Sequence, residues 1–433
     1  MVKKGPGKRK PRKGIPDGRR DGQERGNMEL YIHYPFCEKK CNYCDFLSAP
    51  ATIEDRAVYM RALNREIRGM GEVCRNKCVD TVFIGGGTPS LMEPEELMAL
   101  MEAVRASFCL SKNCEITMEA NPGTLDRDFL IAASASGIGR LSLGLQSADN
   151  KELEYLGRIH KYEDFCESFQ QARESGIKNI NVDLMSALPG QTAASWERTL
   201  ELVSGLGPEH VSAYSLIIEE GTPFYALYHE ADRLRALGEC QPSQREMGTF
   251  MPKLPDEDTE RQMYQLTESL LTQYGYRRYE ISNYARPGFE CRHNVGYWRR
   301  VDYLGTGLGA SSLMDGKRFD NTRDLNEYLN FWGRRQLFWE AGGPAEAGCH
   351  KNIQILDQAD AMAEFMFLGL RLTKGVRNQD FIHCFGQSFM DIYGKVITKH
   401  CQNGLLHYIE ETGQLYFTAR GLDVSNYVLC DFL

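Results

Sequence analysis

Residues 29–44 read ELYIHY, then PF, then CEKKCNYC: a short apolar strand followed at once by Cys37, Cys41 and Cys44 in C-x3-C-x2-C spacing. Three thiolates on one short loop can wrap a single inorganic cluster. Zinc sites usually take four ligands in two separated pairs, and no second pair with suitable spacing follows. Ferredoxin-type loops close their cluster with a fourth cysteine. That cysteine is missing, so a 4Fe–4S cluster on Cys37, Cys41 and Cys44 leaves one iron open to a non-protein ligand. The alternative, three unrelated thiols, fits poorly with this spacing at a strand end.

The strand before the cysteines is the first of a series. ELYIHY (29–34), DTVFIG (80–85), EITMEA (115–120), RLSLGL (140–145), NINVDLM (179–185) and HVSAYSLI (210–217) alternate with helical stretches such as 54–71, 94–107, 161–175 and 193–204. The helices carry apolar residues at three-to-four spacing, and Gly or Pro marks most junctions. Six β/α units in series predict a parallel sheet, either open and doubly wound or curled into a partial barrel. In both cases function gathers at the carboxyl ends of the strands. Beyond it, 219–256 reads as a polar connection, 257–274 as a helix, RRYEISNYA (277–285) as a strand and 324–334 as a helix. The last 80 or so residues give helices near 357–370, 377–385 and 388–403, then a small hairpin and a final helix, which together suggest a winged-helix-like unit. The expected domains are a basic disordered tail (1–27), a core (28–235), a substrate-side extension (236–340) and the C-terminal unit (341–433).

Further chemistry falls at the expected strand ends. Gly85-Gly86-Gly87-Thr88-Pro89 lets backbone approach a ligand closely, although a plain strand–helix turn reads the same way. Glu119, Gln146, Arg158 and Asp183 put acidic, amide and cationic groups at one rim, where each alone would serve as a cap or ion-pair partner.

Composition is that of an ordinary globular chain, 42% hydrophobic and 25% charged over 433 residues, too long for one core. No apolar run approaches the roughly 18 residues that span a bilayer. Residues 1–27 carry ten Lys/Arg against three acids and no apolar h-region, so they do not read as a secretory signal. Contact with nucleic acid or a membrane surface is one reading of that tail. With nothing aromatic or amphipathic beside the charge, a disordered extension, with Met28 opening the folded protein, fits better. Nucleic acid is therefore not expected as a partner. Fourteen cysteines without an export signal imply a cytoplasmic, reducing compartment.

The cysteine spacing resembles the radical S-adenosylmethionine (SAM) superfamily, in which the amino and carboxylate groups of SAM chelate the open iron. The resemblance implies a partial (β/α)6 barrel and SAM contacts from Tyr31, Tyr43, Gly86, Gly87, Thr88, Glu119, Gln146, Arg158 and Asp183. It also implies one-electron reduction of the SAM sulfonium and its homolysis. Further motifs narrow it. YIHYPFC, FIGGGTPSL, MEANPGT, SLGLQS, LGRIH, LPGQ, YEISNYARPGFECRHNVGYW and DYLGTGLGA are similar, in order, to the coproporphyrinogen oxidase-like branch. Within it, the oxygen-independent coproporphyrinogen III oxidases carry a further cysteine where this chain has Phe46. The segment His293-Asn294-Val295-Gly296-Tyr297-Trp298 instead resembles the H-N-x-x-Y-W motif of the heme chaperone subfamily. By that resemblance His293 is a heme-iron ligand and Tyr297 and Trp298 offer flat surface to the porphyrin. A buried histidine among core aromatics is the competing reading, and His33 is a rival ligand. Arg292, Arg299 and Arg300 are candidates for propionate pairing or plain surface cations. One departure stands out: the family's Gly-Ala-His reads here Gly309-Ala310-Ser311. The implied partners are heme, membrane-bound acceptors met transiently, and an electron donor, with a homodimer as one option. Radical decarboxylation of coproporphyrinogen III, or radical chemistry on an unrelated substrate, are the rival activities.

Overall fold

A computed structural model describes residues 26–239, 252–334 and 348–433. The basic segment 1–25 and the segments 240–251 and 335–347 lie outside the described residues. The first half builds β1 (Gly26–Tyr34), α1 (Ile53–Val73), β2 (Lys77–Gly86), α2 (Pro94–Ser107), β3 (Cys109–Ala120), α3 (Arg127–Ala135), β4 (Arg140–Gln146), α4 (Asn150–Tyr155), α5 (Tyr162–Glu174), β5 (Asn179–Ser186), α6 (Ala193–Leu206) and β6 (His210–Ser215). All six strands are parallel and lie side by side in chain order. Right-handed crossovers that never reverse direction place every helix on one face, which excludes a doubly wound sheet and leaves the partial (β/α)6 barrel.

Alternation along the strands sorts core from site. On β1, Leu30, Ile32 and Tyr34 are fully buried with Tyr59 and Leu63 of α1 in one apolar core. Glu29, Tyr31 and His33 take the opposite, inner face. Their register partners Thr81, Phe83 and Gly85 on β2 continue it. Glu119 pairs with Ser142, and Gly144 with Asp183, so the same inner face runs around the barrel.

The second half extends both edges. After α7 (Pro223–Ala236) and α8 (Glu257–Gln273), β7 (Arg277–Arg278) and β8 (Asn283–Ala285) pair antiparallel beside β6. Past α9 (Arg292–Trp298), β9 (Tyr303–Thr306) pairs parallel with β1, and β10 (Ser311–Met314) and β11 (Lys317–Asn321) follow. α10 (Leu325–Arg334) packs on α1, and β12 (His350–Ile355) closes the twelve-stranded sheet.

The small C-terminal unit runs α11 (Gln358–Gly369), β13 (Val376–Arg377), α12 (Asn378–Phe385), α13 (Phe389–Gln402), β14 (Leu406–Ile409) and β15 (Gln414–Phe417), with sheet order β13-β15-β14 around its own core. Helix, strand, two helices and a hairpin is winged-helix order.

Four expectations change. The connection 219–256 contains α7, which starts at Pro223 behind a Thr222 cap. RRYEISNYA folds back as a hairpin, because Ser282 and Glu280 bond locally between its halves. The single final helix is two short ones, Ala419–Asp423 and Ser425–Leu429. β12 belongs to the large sheet through β11, so the C-terminal unit begins at α11 and not at 341.

Candidate functional site

The cysteine loop leaves β1 and is tied at both ends. Cys37 N–H donates to Ala49 O at 3.1 Å, and Ala49 N–H to Pro35 O at 3.0 Å. Asn42 pins the middle, donating through Nδ2 to Tyr155 O at 2.9 Å and through its backbone to Leu156 O at 2.9 Å. Cys37, Cys41 and Cys44 remain partly exposed and line one cavity of about 410 Å³ at the carboxyl ends of the strands. Among the described residues no three His, Cys, Asp or Glu side chains converge closely enough to hold a single ion. A cluster takes each thiolate on a separate iron, so three spaced thiols on one loop suit it. Two donors already face the sulfurs: Thr88 Oγ1 lies 3.5 Å from Cys37 Sγ and Arg158 Nη1 lies 3.6 Å from Cys41 Sγ.

Around the thiols the inner-face side chains converge as the motifs predict. Gly86, Gly87, Glu119, Gln146, Arg158, Asp183 and Tyr43 all line this cavity. Gly86 has φ +116°, and a Cβ there would sit 2.5 Å from Nδ1 of His33; a Cβ at Gly87 would sit 2.5 Å from Phe36 O. Both glycines are required by backbone approach, and they leave a cradle beside the loop. Glu119 accepts the Gly86 N–H at 3.0 Å. Burial, reinforced by Asp183, pushes its carboxyl up to about 7 despite that bond. Asp183 accepts from Ser142 Oγ at 2.8 Å and Asn181 Nδ2 at 2.7 Å. Arg158 donates to Asn121 Oδ1 at 2.8 Å and Gly144 O at 2.6 Å, but its Nε is buried without a partner. Burial raises the Tyr43 phenol as well. Thr88 stands behind Cys37, where its hydroxyl accepts from Asn121 Nδ2 at 2.9 Å. Three soft donors, a glycine cradle, two carboxylates and an orphaned guanidinium nitrogen suit a thiolate-held cluster and a small zwitterionic cation beside it.

Tyr31 falls elsewhere. It lines a second cavity of about 560 Å³, which shares Asp45, Phe46, Gly86 and Glu119 with the first, so the two adjoin. This second space lies between β1, β9 to β11 and α11, with Tyr297, Trp298, Tyr303 and Phe367 on its walls. His33 also lines it, with Nδ1 3.0 Å from Tyr31 Oη and Nε2 3.0 Å from Leu47 O. Phe46, 60% exposed, stands where the cavities meet.

His293 does not reach either cavity. It is buried beneath Tyr297, its Nδ1 2.7 Å from Thr81 Oγ1 and its Nε2 2.9 Å from Tyr297 Oη, stacked on Phe83. Burial, with Arg140 nearby, lowers its pKa to about 3. In this arrangement both ring nitrogens have hydrogen-bond partners, as the buried-histidine reading of the motif expects. Ser311, in place of the family's histidine, lines the second cavity and bonds Asp320. Arg292 bonds Asn113 O on the far side, and Arg300 pairs with Glu364 outside the lining. The cations that do line the second cavity are Arg318 and Arg323, and neither stood out in the sequence; nor did Tyr214, although it follows the inner-face alternation.

Residues 31–203 match the radical SAM superfamily model, and residues 356–424 the HemN C-terminal domain model. The heme chaperone HemW of Bacillus subtilis (strain 168) is 34% identical over 404 residues, covering 93% of this chain and 98% of that protein. The chain belongs to the HemW family of radical SAM proteins. The HemW of Escherichia coli (strain K12) is 37% identical over 284 residues, 65% of this chain and 69% of that one. The mitochondrial radical S-adenosyl methionine domain-containing protein 1 of Bos taurus is 31% identical over 417 residues, 95% of this chain and 86% of that one. Coproporphyrinogen III oxidase (HemN) from Escherichia coli shares the fold, with a TM-score of 0.76 at 23% identity over 94% of this chain and 90% of that one. Membership in the superfamily implies a 4Fe–4S cluster and SAM. Among the described residues no helix is long and apolar enough to cross a membrane.

Proposed function

We propose that this HemW-family chain binds heme in the second cavity, next to a SAM-loaded cluster in the first, and passes the heme to membrane-bound respiratory acceptors. The observation that carries the reading is that the two cavities adjoin, with Phe46, Gly86 and Glu119 on the walls of both. About 560 Å³ lies within the ~300–1,000 Å³ typical of small-molecule sites. Flat aromatic walls and two guanidiniums match an amphipathic macrocycle with acidic arms.

Cys37, Cys41 and Cys44 would hold the cluster, and Gly86, Gly87, Glu119, Gln146, Arg158 and Asp183 would surround SAM. When bound and reduced by a donor protein, the cluster supplies one electron to the SAM sulfonium. The chain's part is positional: Thr88 and Arg158 stabilise thiolate charge on Cys37 and Cys41, and the glycines admit SAM without a steric penalty. Phe46 supplies no fourth thiol beside the cluster and presents an apolar face to the heme side.

The test is anaerobic reconstitution with iron and sulfide, followed by heme titration and a coproporphyrinogen III turnover assay. Stoichiometric heme binding without turnover is expected. Turnover without heme binding would replace the chaperone reading with the oxidase one.

A further inference from the structure

Arg318 on β11 and Arg323 after it are the two guanidiniums that line the second cavity, and their circumstances differ. Arg323 is exposed at the rim and forms no ion pair with any described residue. Arg318 is occupied: its Nη2 donates to Glu364 Oε1 at 2.7 Å. The other carboxylate oxygen, Glu364 Oε2, accepts from Arg300 Nε at 2.6 Å. Arg300 has φ +59°, a left-handed backbone that a non-glycine residue adopts at a cost, and it lies directly behind the helix that carries Tyr297 and Trp298. Glu364 is itself on the cavity wall, projecting from α11, and its side chain is only 12% exposed.

A wall that carries its own carboxylate, held between two guanidiniums, already displays the contact an acidic ligand would make. We propose that Arg323 and Arg318 are two carboxylate-recognition points on the wall of the second cavity, and that Glu364 is a built-in competitor which a ligand carboxylate must displace from Arg318. The ligand class is a flat, apolar macrocycle bearing two carboxylates. One meets the open Arg323 directly; the other exchanges with Glu364. The exchange moves no proton and breaks no covalent bond, because one carboxylate replaces another on the same fork. Selectivity follows: acids are recognised, and their esters lose both contacts. This rests on the porphyrin reading above.

The test uses full-length, anaerobically reconstituted protein and two iron-free probes, mesoporphyrin IX and its dimethyl ester, so that axial ligation plays no part. Binding is read by fluorescence quenching for wild type, Arg323→Gln and Glu364→Gln. Glu364→Gln should bind the diacid about three- to tenfold more tightly, since the competing charge is gone while the hydrogen-bonding shape remains. Arg323→Gln should bind the diacid about three- to tenfold more weakly. Neither change should move the diester. If wild type binds the diacid but the variants shift acid and ester alike, or shift neither, the two recognition points are refuted while the porphyrin reading survives. If wild type binds neither probe and no heme, both fall together.

Discussion

Replacing Gly86 by alanine tests whether the cradle beside the cysteine loop is as tight as its geometry says. Two costs arise. A backbone at φ +116° lies where side chains are strained, worth about 1–3 kcal/mol. The new methyl would also stand 2.5 Å from Nδ1 of His33, and that ring is held on both sides, by Tyr31 Oη and Leu47 O, so it cannot swing away freely. Overpacking of this kind costs about 1–3 kcal/mol. The sum, about 2–6 kcal/mol, is a large share of the ~5–15 kcal/mol that holds a typical domain together. The steric part should vanish when His33 is also truncated, whereas the backbone part should persist. Urea unfolding of wild type, Gly86→Ala, His33→Ala and the double variant separates them. The double variant should be about 1–3 kcal/mol more stable than the two single losses added together. A Gly86→Ala loss under about 0.5 kcal/mol, or strict additivity with His33→Ala, would refute the reasoning.

Other outcomes follow from the same geometry. Glu119 is held up to about 7 by burial, and a cation favours its ionised form. Below that pH, SAM must therefore expel a proton to pair with it, so calorimetric SAM affinity should rise by up to about tenfold per unit as pH approaches 7 and then level off. Glu119→Gln should flatten the curve, and an unchanged slope would remove Glu119 from the site. Changing Cys37, Cys41 or Cys44 to alanine should in each case abolish the reconstituted thiolate-to-iron absorption. Any single variant that keeps a full complement of SAM-responsive iron would contradict the three-thiol assignment. His293→Ala should cost about 2–4 kcal/mol in unfolding free energy, because it opens a core cavity and orphans Thr81 and Tyr297. Its heme Soret band should nonetheless persist, and loss of that band in folded protein would restore the histidine as ligand.

The positions of Glu119, Gln146 and Asp183 around the first cavity were legible because each sits towards the end of its own strand. Period-two alternation fixes which side chains share a face, and parallel strands in chain order bring those faces together. Glu119, Gln146 and Asp183 needed only local reading for that reason. The helix at Pro223 was missed because 219–256 was read as one polar connection, although Phe224, Tyr228 and Ala231 recur there at helical spacing behind a Thr222 cap. Where the His293 ring points was not legible, because a motif states residue types; α9 turns that ring down onto Thr81.

The sequence by itself determined the cysteine loop, the glycine cradle, the six β/α units and the winged-helix-like end, because these depend on spacing along the chain. The tertiary structure alone decided what the second cavity is made of. Its walls come from β1, the loop after it, α9, β9 to β11 and α11, segments separated by up to some 300 residues and joined by parallel pairing of β9 with β1 and by the Arg300–Glu364–Arg318 ion pairs. Contacts over such distances are set by packing and charge in three dimensions, which leave no period in the chain to read.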